Sequence, residues 1–331
     1  MSLNSISFKQ AEVQDVKTKK KKNINSIGGT AAALTTGALV HQVAPLIPGL
    51  PIMVAMQKIG TLDSENGAKV HQAIKDMLKD TKLDEKGIRI KFLNSQFKLP
   101  NNIEKLFSSM DEFILDFNNF MVKNGMNAYF LHGNEDKLPR NAKGQLLVNN
   151  NSVVLSKEKL HTAGFHELGH AMNCHFSKIG KLLQKCRPIA MFGPVLVGIY
   201  GAISTKSKSK EEGAELTNVQ KTNNFARDNA GKIAFGLSLP MLIEEAMASI
   251  KGQKFANKLL DKNLANRVLK TNLVAYSSYL LVGIAGALGC TCAVKLKDHF
   301  VAKKEAKIAK ESMKNEIIAE KIRPELHTHQ A

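Results

Sequence analysis

Between Leu273 and Val294 the chain runs for 22 residues without a charged side chain. As a helix that segment spans about 33 Å, enough to cross the hydrocarbon layer of a bilayer. Three other apolar runs accompany it. Thr30 to Met56 holds no Asp, Glu, Lys or Arg, although Pro45, Pro48 and Pro51 interrupt it, so it reads as a kinked span or as a re-entrant hairpin turning at "APLIPGLP". Pro188 to Ser204 and Ile233 to Ile250 are shorter and carry prolines or acids, and a buried core hairpin is the competing reading for them. Lysines stand at the ends of these runs: Lys206, Lys208 and Lys210, then Lys251 and Lys254, then Lys295 and Lys297. Apolar stretches closed by lysine are the pattern of membrane anchoring.

The rest of the composition fits a folded protein at a bilayer. With 331 residues and 44% hydrophobic side chains the chain can bury a core. Its formal charge of +18 suits anionic lipid or nucleic acid. The lysines cluster beside apolar runs without interleaved aromatics, which argues against a base-stacking nucleic-acid surface. Cys174, Cys186, Cys290 and Cys292 are too few and too unevenly placed for a disulfide framework and read as free thiols. No cleavage site follows the first apolar stretch, so that stretch is expected to stay in the membrane.

The chain accordingly divides into a basic flexible tail (1–29), a membrane segment (30–56), a globular region (57–187), a membrane hairpin (188–250), a connecting helix (251–272), a transmembrane helix (273–294) and a charged, helical tail (295–331). In the globular region "GAKVHQAIKDMLKD" and "NNIEKLFSSMDEFILDFNNFMVKNG" have helical spacing. The stretches "GIRIKFL", "NAYFLH" and "QLLVNNNSVVLS" read as strands. A helix capped by Ser156 is expected to run through "GFHELGHAMNCH" to about Cys186.

That last helix carries the chemistry. His166 and His170, four apart, share a face and can hold one ion, while Glu167 projects beside them. Zinc so held activates a water, and a neighbouring glutamate can serve as general base for peptide hydrolysis. The competing reading is a solvated helix with two ordinary histidines. Gly169 opposes it, because glycine inside a helix costs roughly 1 kcal/mol and calls for a packing reason.

A third ligand is required. A third histidine six residues after His170, with glycine three after it, would supply it on the same segment, but those positions hold Phe176 and Asn173, so it must come from elsewhere. Within "LIEEAMAS", Glu244 and Glu245 are a carboxylate pair in an apolar run, expensive there unless paired with a cation. The hairpin 188–250 leaves the histidines and returns, bringing both glutamates to the same membrane side. His175, five positions after His170, faces another side of the helix and reads as a residue holding the ligands in place rather than as a ligand.

With these residues the chain resembles the membrane zinc metallopeptidases of the HtpX, Oma and CAAX-prenyl-protease type. "HELGHAMNCH" is similar to that family's HELGH with a further histidine at the position of His175, and "NAYFLHG" to its N-A-F-x-x-x-G strand. Glu245, Ala248 and Ser249 resemble its E-x-x-A-D, with serine standing where the family has aspartate. The resemblance implies a zincin-like fold, mainly α with a small β-sheet, the helix of the histidines packed on that sheet, and about four membrane-inserted helices. It implies one zinc ion on His166, His170 and Glu245, with Glu244 the alternative ligand, Glu167 as base, and Ser249 behind the ligands. It also implies a polypeptide substrate near the membrane, lying along an edge strand that includes Leu146, Leu147, Val148, Val153 and Val154. The expectation is a multi-pass integral membrane endopeptidase. Its rival is a membrane scaffold that keeps the fold without the activity.

Overall fold

The computed structural model describes residues 27–43, 46–94, 110–132, 151–209 and 214–328. Most of the basic tail and Leu146, Leu147 and Val148 lie outside the described residues. In chain order the elements are α1 (Ile27–Val43), α2 (Leu46–Gly60), α3 (Ser64–Asp80), β1 (Arg89–Leu93), α4 (Met110–Lys123), β2 (Tyr129–Leu131), β3 (Ser152–Ser156), α5 (Gly164–Phe176), α6 (Lys178–Lys185), α7 (Arg187–Ile203), α8 (Asn218–Asp228), α9 (Ala230–Leu259) and α10 (Lys262–Thr328). The protein is mainly helical with one small sheet of order β1-β3-β2.

These elements form two compact units. One comprises 43–192 and 237–284, and the other 1–42, 193–236 and 285–331. In the first, α3 starts at Asp63, whose carboxylate accepts from the Asn66 N–H, and buries Val70, Ala73, Ile74 and Met77 along one stripe. That stripe meets Val153 and Leu155 of β3, Phe165, Leu168 and Ala171 of α5, Ala256 of α9, and Leu264 and Val268 of α10. Burying a side chain of this size contributes about 1.5–3 kcal/mol, so this cluster is the main reason the histidine helix is held rigidly.

Three sequence expectations are corrected here. Strand β3 pairs in parallel with β1 along its whole length and antiparallel with β2 over Ser152–Val154. Val153 and Val154 therefore lie in the central strand, fully buried, and cannot take a peptide as an edge strand. The helix expected from Ser156 to Cys186 is three pieces. Ser156 caps only a turn, its hydroxyl accepting from the Lys159 N–H at 3.2 Å, and Leu160 adopts a left-handed conformation with φ 49°. A 3₁₀ turn, His161–Ala163, then leads into α5, and Ser177 ends it by turning extended and capping α6. Finally, the connecting helix expected over 251–272 is divided between the end of α9 and the start of α10.

Three stretches are long and apolar enough to cross a membrane: Lys178–Ile203, Ala230–Leu259 and Lys262–Ile318. The run from Thr30 to Met56 is instead divided between α1 and α2, with residues 44 and 45 outside the described ones. Only 28–39% of the apolar window in each candidate span is buried within the protein, so most of each window is left uncovered by the described residues. Ile189, Phe192, Leu196 and Ile199 on α7, with Leu280 and Ile284 on α10, are among the exposed residues.

In the second unit small residues let helices approach closely. A Cβ on Gly37 would meet that of Ala293 at 3.0 Å. Arg227 of α8, fully buried, caps the C-terminal end of α7. It donates to the Gly201 carbonyl at 2.9 Å, to the Ser204 carbonyl and hydroxyl, and to Asp298 at 2.6 Å.

Candidate metal centre

Gly169 has the packing reason its position in a helix demanded. A side-chain carbon there would overlap the carbonyl oxygen of Ala248 on α9, and one at Gly252 would overlap the carbonyl of Phe165 on α5. The two glycines let α5 and α9 touch backbone to backbone. That contact brings Glu244 and Glu245, one turn before Ala248, against the histidine pair.

The atoms then meet closely. His166 Nε2 lies 2.9 Å from His170 Nε2, and Glu245 Oε2 lies 3.1 Å from the first and 3.3 Å from the second. All three residues are buried. The opposite edge of each ring is occupied: His170 Nδ1 bonds Glu244 Oε1 at 2.9 Å, and His166 Nδ1 bonds Ser249 Oγ at 3.0 Å. With both Nδ1 atoms engaged there, the two Nε2 atoms face each other and a carboxylate oxygen. A carboxylate oxygen and two imidazole nitrogens this close are held together by a cation among them, a proton on His170 or a metal ion that displaces it. Tetrahedral bonds of about 2.0–2.2 Å set ligand atoms about 3.3–3.5 Å apart, close to the observed triangle. The buried His166, His170 and Glu245 group can therefore hold a metal ion.

Glu244, the alternative ligand, takes a different part. Its Oε1 also accepts from Asn173 Nδ2 at 3.0 Å and Gln184 Nε2 at 2.8 Å, and its Oε2 accepts from Arg187 Nη2 at 2.5 Å. It faces the back of His170 and orients that ring. Arg187 also reaches Glu245 Oε1 at 2.7 Å, fixing the carboxylate so that Oε2 points at the imidazoles. Ser249 does for His166 what Glu244 does for His170.

Electrostatics follow from this crowding. Burial works against a charge on His170, but the carboxylates of Glu245 and Glu244 outweigh it and raise the imidazole to about 10. Burial raises the Glu167 carboxyl above its ordinary value, with His170 and His166 pulling the other way. Glu167 is thereby moved toward the range in which a carboxyl both takes and returns a proton near neutrality.

The site opens into a cleft of about 410 Å³. Asn127 and Ala128, with Tyr129 and Phe130 of β2, form one wall, and Glu167, His170, Glu245, Arg187 and Tyr279 line the cleft with them. Sequence reasoning missed Arg187, Gln184, Asn173 and Tyr279. The only local signal was that Arg187 is the last charge before an apolar run. His175 is not behind the ligand pair. It stands with His132 and Cys174 on another part of α5, and its Nε2 is buried without a hydrogen-bond partner among the described residues.

The chain matches no protein family model, no curated protein and no solved structure.

Proposed function

We propose that this chain is a multi-pass membrane zinc endopeptidase of the kind its motifs resemble. One observation carries the reading: two imidazole nitrogens and a carboxylate oxygen converge within 3.3 Å of one another, each held from behind, beside Glu167 at the lining of a cleft. Two histidines and a glutamate, with room for a fourth position, are the donor set of hydrolytic zinc rather than of a structural site.

Zinc on His166, His170 and Glu245 would supply a Lewis acid and a water of lowered pKa. The chain's own residues account for the rest. Glu167 takes a proton from the attacking water on its carboxylate and returns it to the leaving amine nitrogen, so the carboxyl ends each cycle as it began. Tyr279 lines the same cleft and offers a hydroxyl to the oxyanion. Among the described residues β2 has no partner on its outer side, and it lines the cleft. It replaces β3 as the strand along which an extended peptide would lie, gripped through its backbone and with loose side-chain specificity. The three apolar spans hold this cleft at a bilayer, favouring membrane proteins or membrane-proximal segments as substrates.

The test is cleavage of an unstructured polypeptide by purified protein and by a Glu167→Gln variant. The expected result is cleavage by the parent and none by the variant, with metal retained in both. Cleavage that persists in the variant contradicts the assignment, and cleavage by neither leaves a metal-binding scaffold.

A further inference from the structure

A second group of soft ligands lies one helical turn beyond His170. His132, at the end of β2, faces Cys174 and His175 of α5, and one ligand atom from each lies within 4.8 Å of the others. The two imidazoles stand edge to face, with centroids 5.2 Å apart and planes at 72°. His166 and His170 show the same arrangement at 4.5 Å and 84°.

Each member is prepared for a ligand. His132 Nδ1 is 2.6 Å from Asn151 Oδ1, and a hydrogen bond donated there leaves Nε2 as the free lone pair. His175 Nε2 is buried with no hydrogen-bond partner among the described residues, a state that a neutral imidazole rarely keeps without cause. Cys174 is buried and in no disulfide. Packing alone would explain two edge-to-face rings. It does not explain a buried thiol within 4.8 Å of a nitrogen of each ring, one of the rings also having a buried nitrogen without a partner among the described residues.

We infer that His132, Cys174 and His175 form a second metal site, selective for a borderline-soft divalent cation such as Zn²⁺. Two imidazoles and a thiolate suit such an ion, and among the described residues a protein carboxylate, which would favour harder cations, is not part of the group. The site differs from the His166, His170 and Glu245 centre in having sulfur. His132 and Cys174 also line the cleft that holds His170 and Glu245, so an ion here would occupy the end of β2. If β2 binds peptide, as proposed above, that ion acts as a brake at high metal concentration. The metal site itself does not depend on that reading.

Cobalt titration of the chelator-treated full-length protein in detergent tests this, because only a sulfur ligand gives thiolate-to-cobalt charge-transfer absorption. The expected result is two Co²⁺ per chain, with the charge-transfer band belonging to one of them. Cys174→Ser should abolish the band and leave one equivalent. A band that survives Cys174→Ser comes from another cysteine and overturns the proposal, as does a parent that shows no band at all. If Cys174→Ser loses both equivalents through misfolding, the exposed His132 decides. His132→Ala should weaken the banded equivalent at least tenfold, and an unchanged titration overturns the site. The two centres separate in the same experiment. A banded single equivalent contradicts the His166, His170 and Glu245 centre alone, and a single equivalent without the band contradicts this one alone.

Discussion

Each compact unit sets an arginine against acidic oxygens, Arg227 fully buried and Arg187 partly exposed, yet the two arrangements end differently. Arg227 donates through its two terminal nitrogens to two carbonyls, a hydroxyl and Asp298, so these acceptors all meet donors and only its Nε lacks a partner among the described residues. Arg187 also bridges two acids, but on the far side of Glu245 two Nε2 atoms and Oε2 converge on one point that needs a proton or a metal ion. The first network completes a helix end. The second leaves three ligand atoms converging where a metal ion could lie, and that difference separates a structural charge cluster from a candidate site.

Variants can break or sharpen this contrast. Arg227→Met should destabilise the protein most, by about 2–4 kcal/mol, since it strands the carbonyls at the end of α7 while Asp298, partly exposed, can rehydrate. Thermal denaturation in detergent checks the loss, and zinc analysis should find metal content unchanged. Metal loss in that variant would mean the two networks are not independent. Gly169→Ala should cost about 1–3 kcal/mol by forcing α5 from α9, and it should release metal as well. Gly236→Ala is the control, because nothing lies within 4 Å of a Cβ there.

Smaller effects concern the residues behind the ligands. Glu244→Gln should retain metal but bind it about 10–100-fold more weakly, and Ser249→Ala about tenfold more weakly, as read by competition with a chelator. A Glu244 variant that loses metal altogether would make Glu244 a ligand.

The gentlest test is pH. His170, raised from 6.5 to about 10 by its carboxylate neighbours, carries a proton that a metal must displace. Apparent zinc affinity should therefore fall about tenfold per unit as pH drops from 8 to 7. The sign reverses for the chelated protein. There the protonated ring stabilises the fold fully below about pH 6.5, and that contribution is lost as pH rises through about 10. A flat affinity profile would show that His170 binds no ion.

How much of this was legible in the sequence depends on the range of each signal. His166 and His170 share a face by local spacing, and Gly169 announced a close helix contact because only packing justifies it. Glu244 and Glu245 could not be told apart from the residues alone, since neighbours on a helix differ by 100° and the deciding partners lie on other elements. Arg187, Gln184 and Tyr279 reach the site through tertiary contacts that leave no periodic trace. The strand error has a nearer cause. "SVVLS" is a continuous apolar run, the pattern of a strand covered on both faces, and it sits between two partners rather than at an edge.

Zinc per chain in purified parent and Glu245→Ala proteins, with Glu244→Ala alongside, bears most directly on the central claim. The geometry calls for close to full occupancy of the centre in the parent, its loss in Glu245→Ala, and partial retention in Glu244→Ala. Zinc retained at the parental level in Glu245→Ala would contradict the claim that His166, His170 and Glu245 together hold the metal.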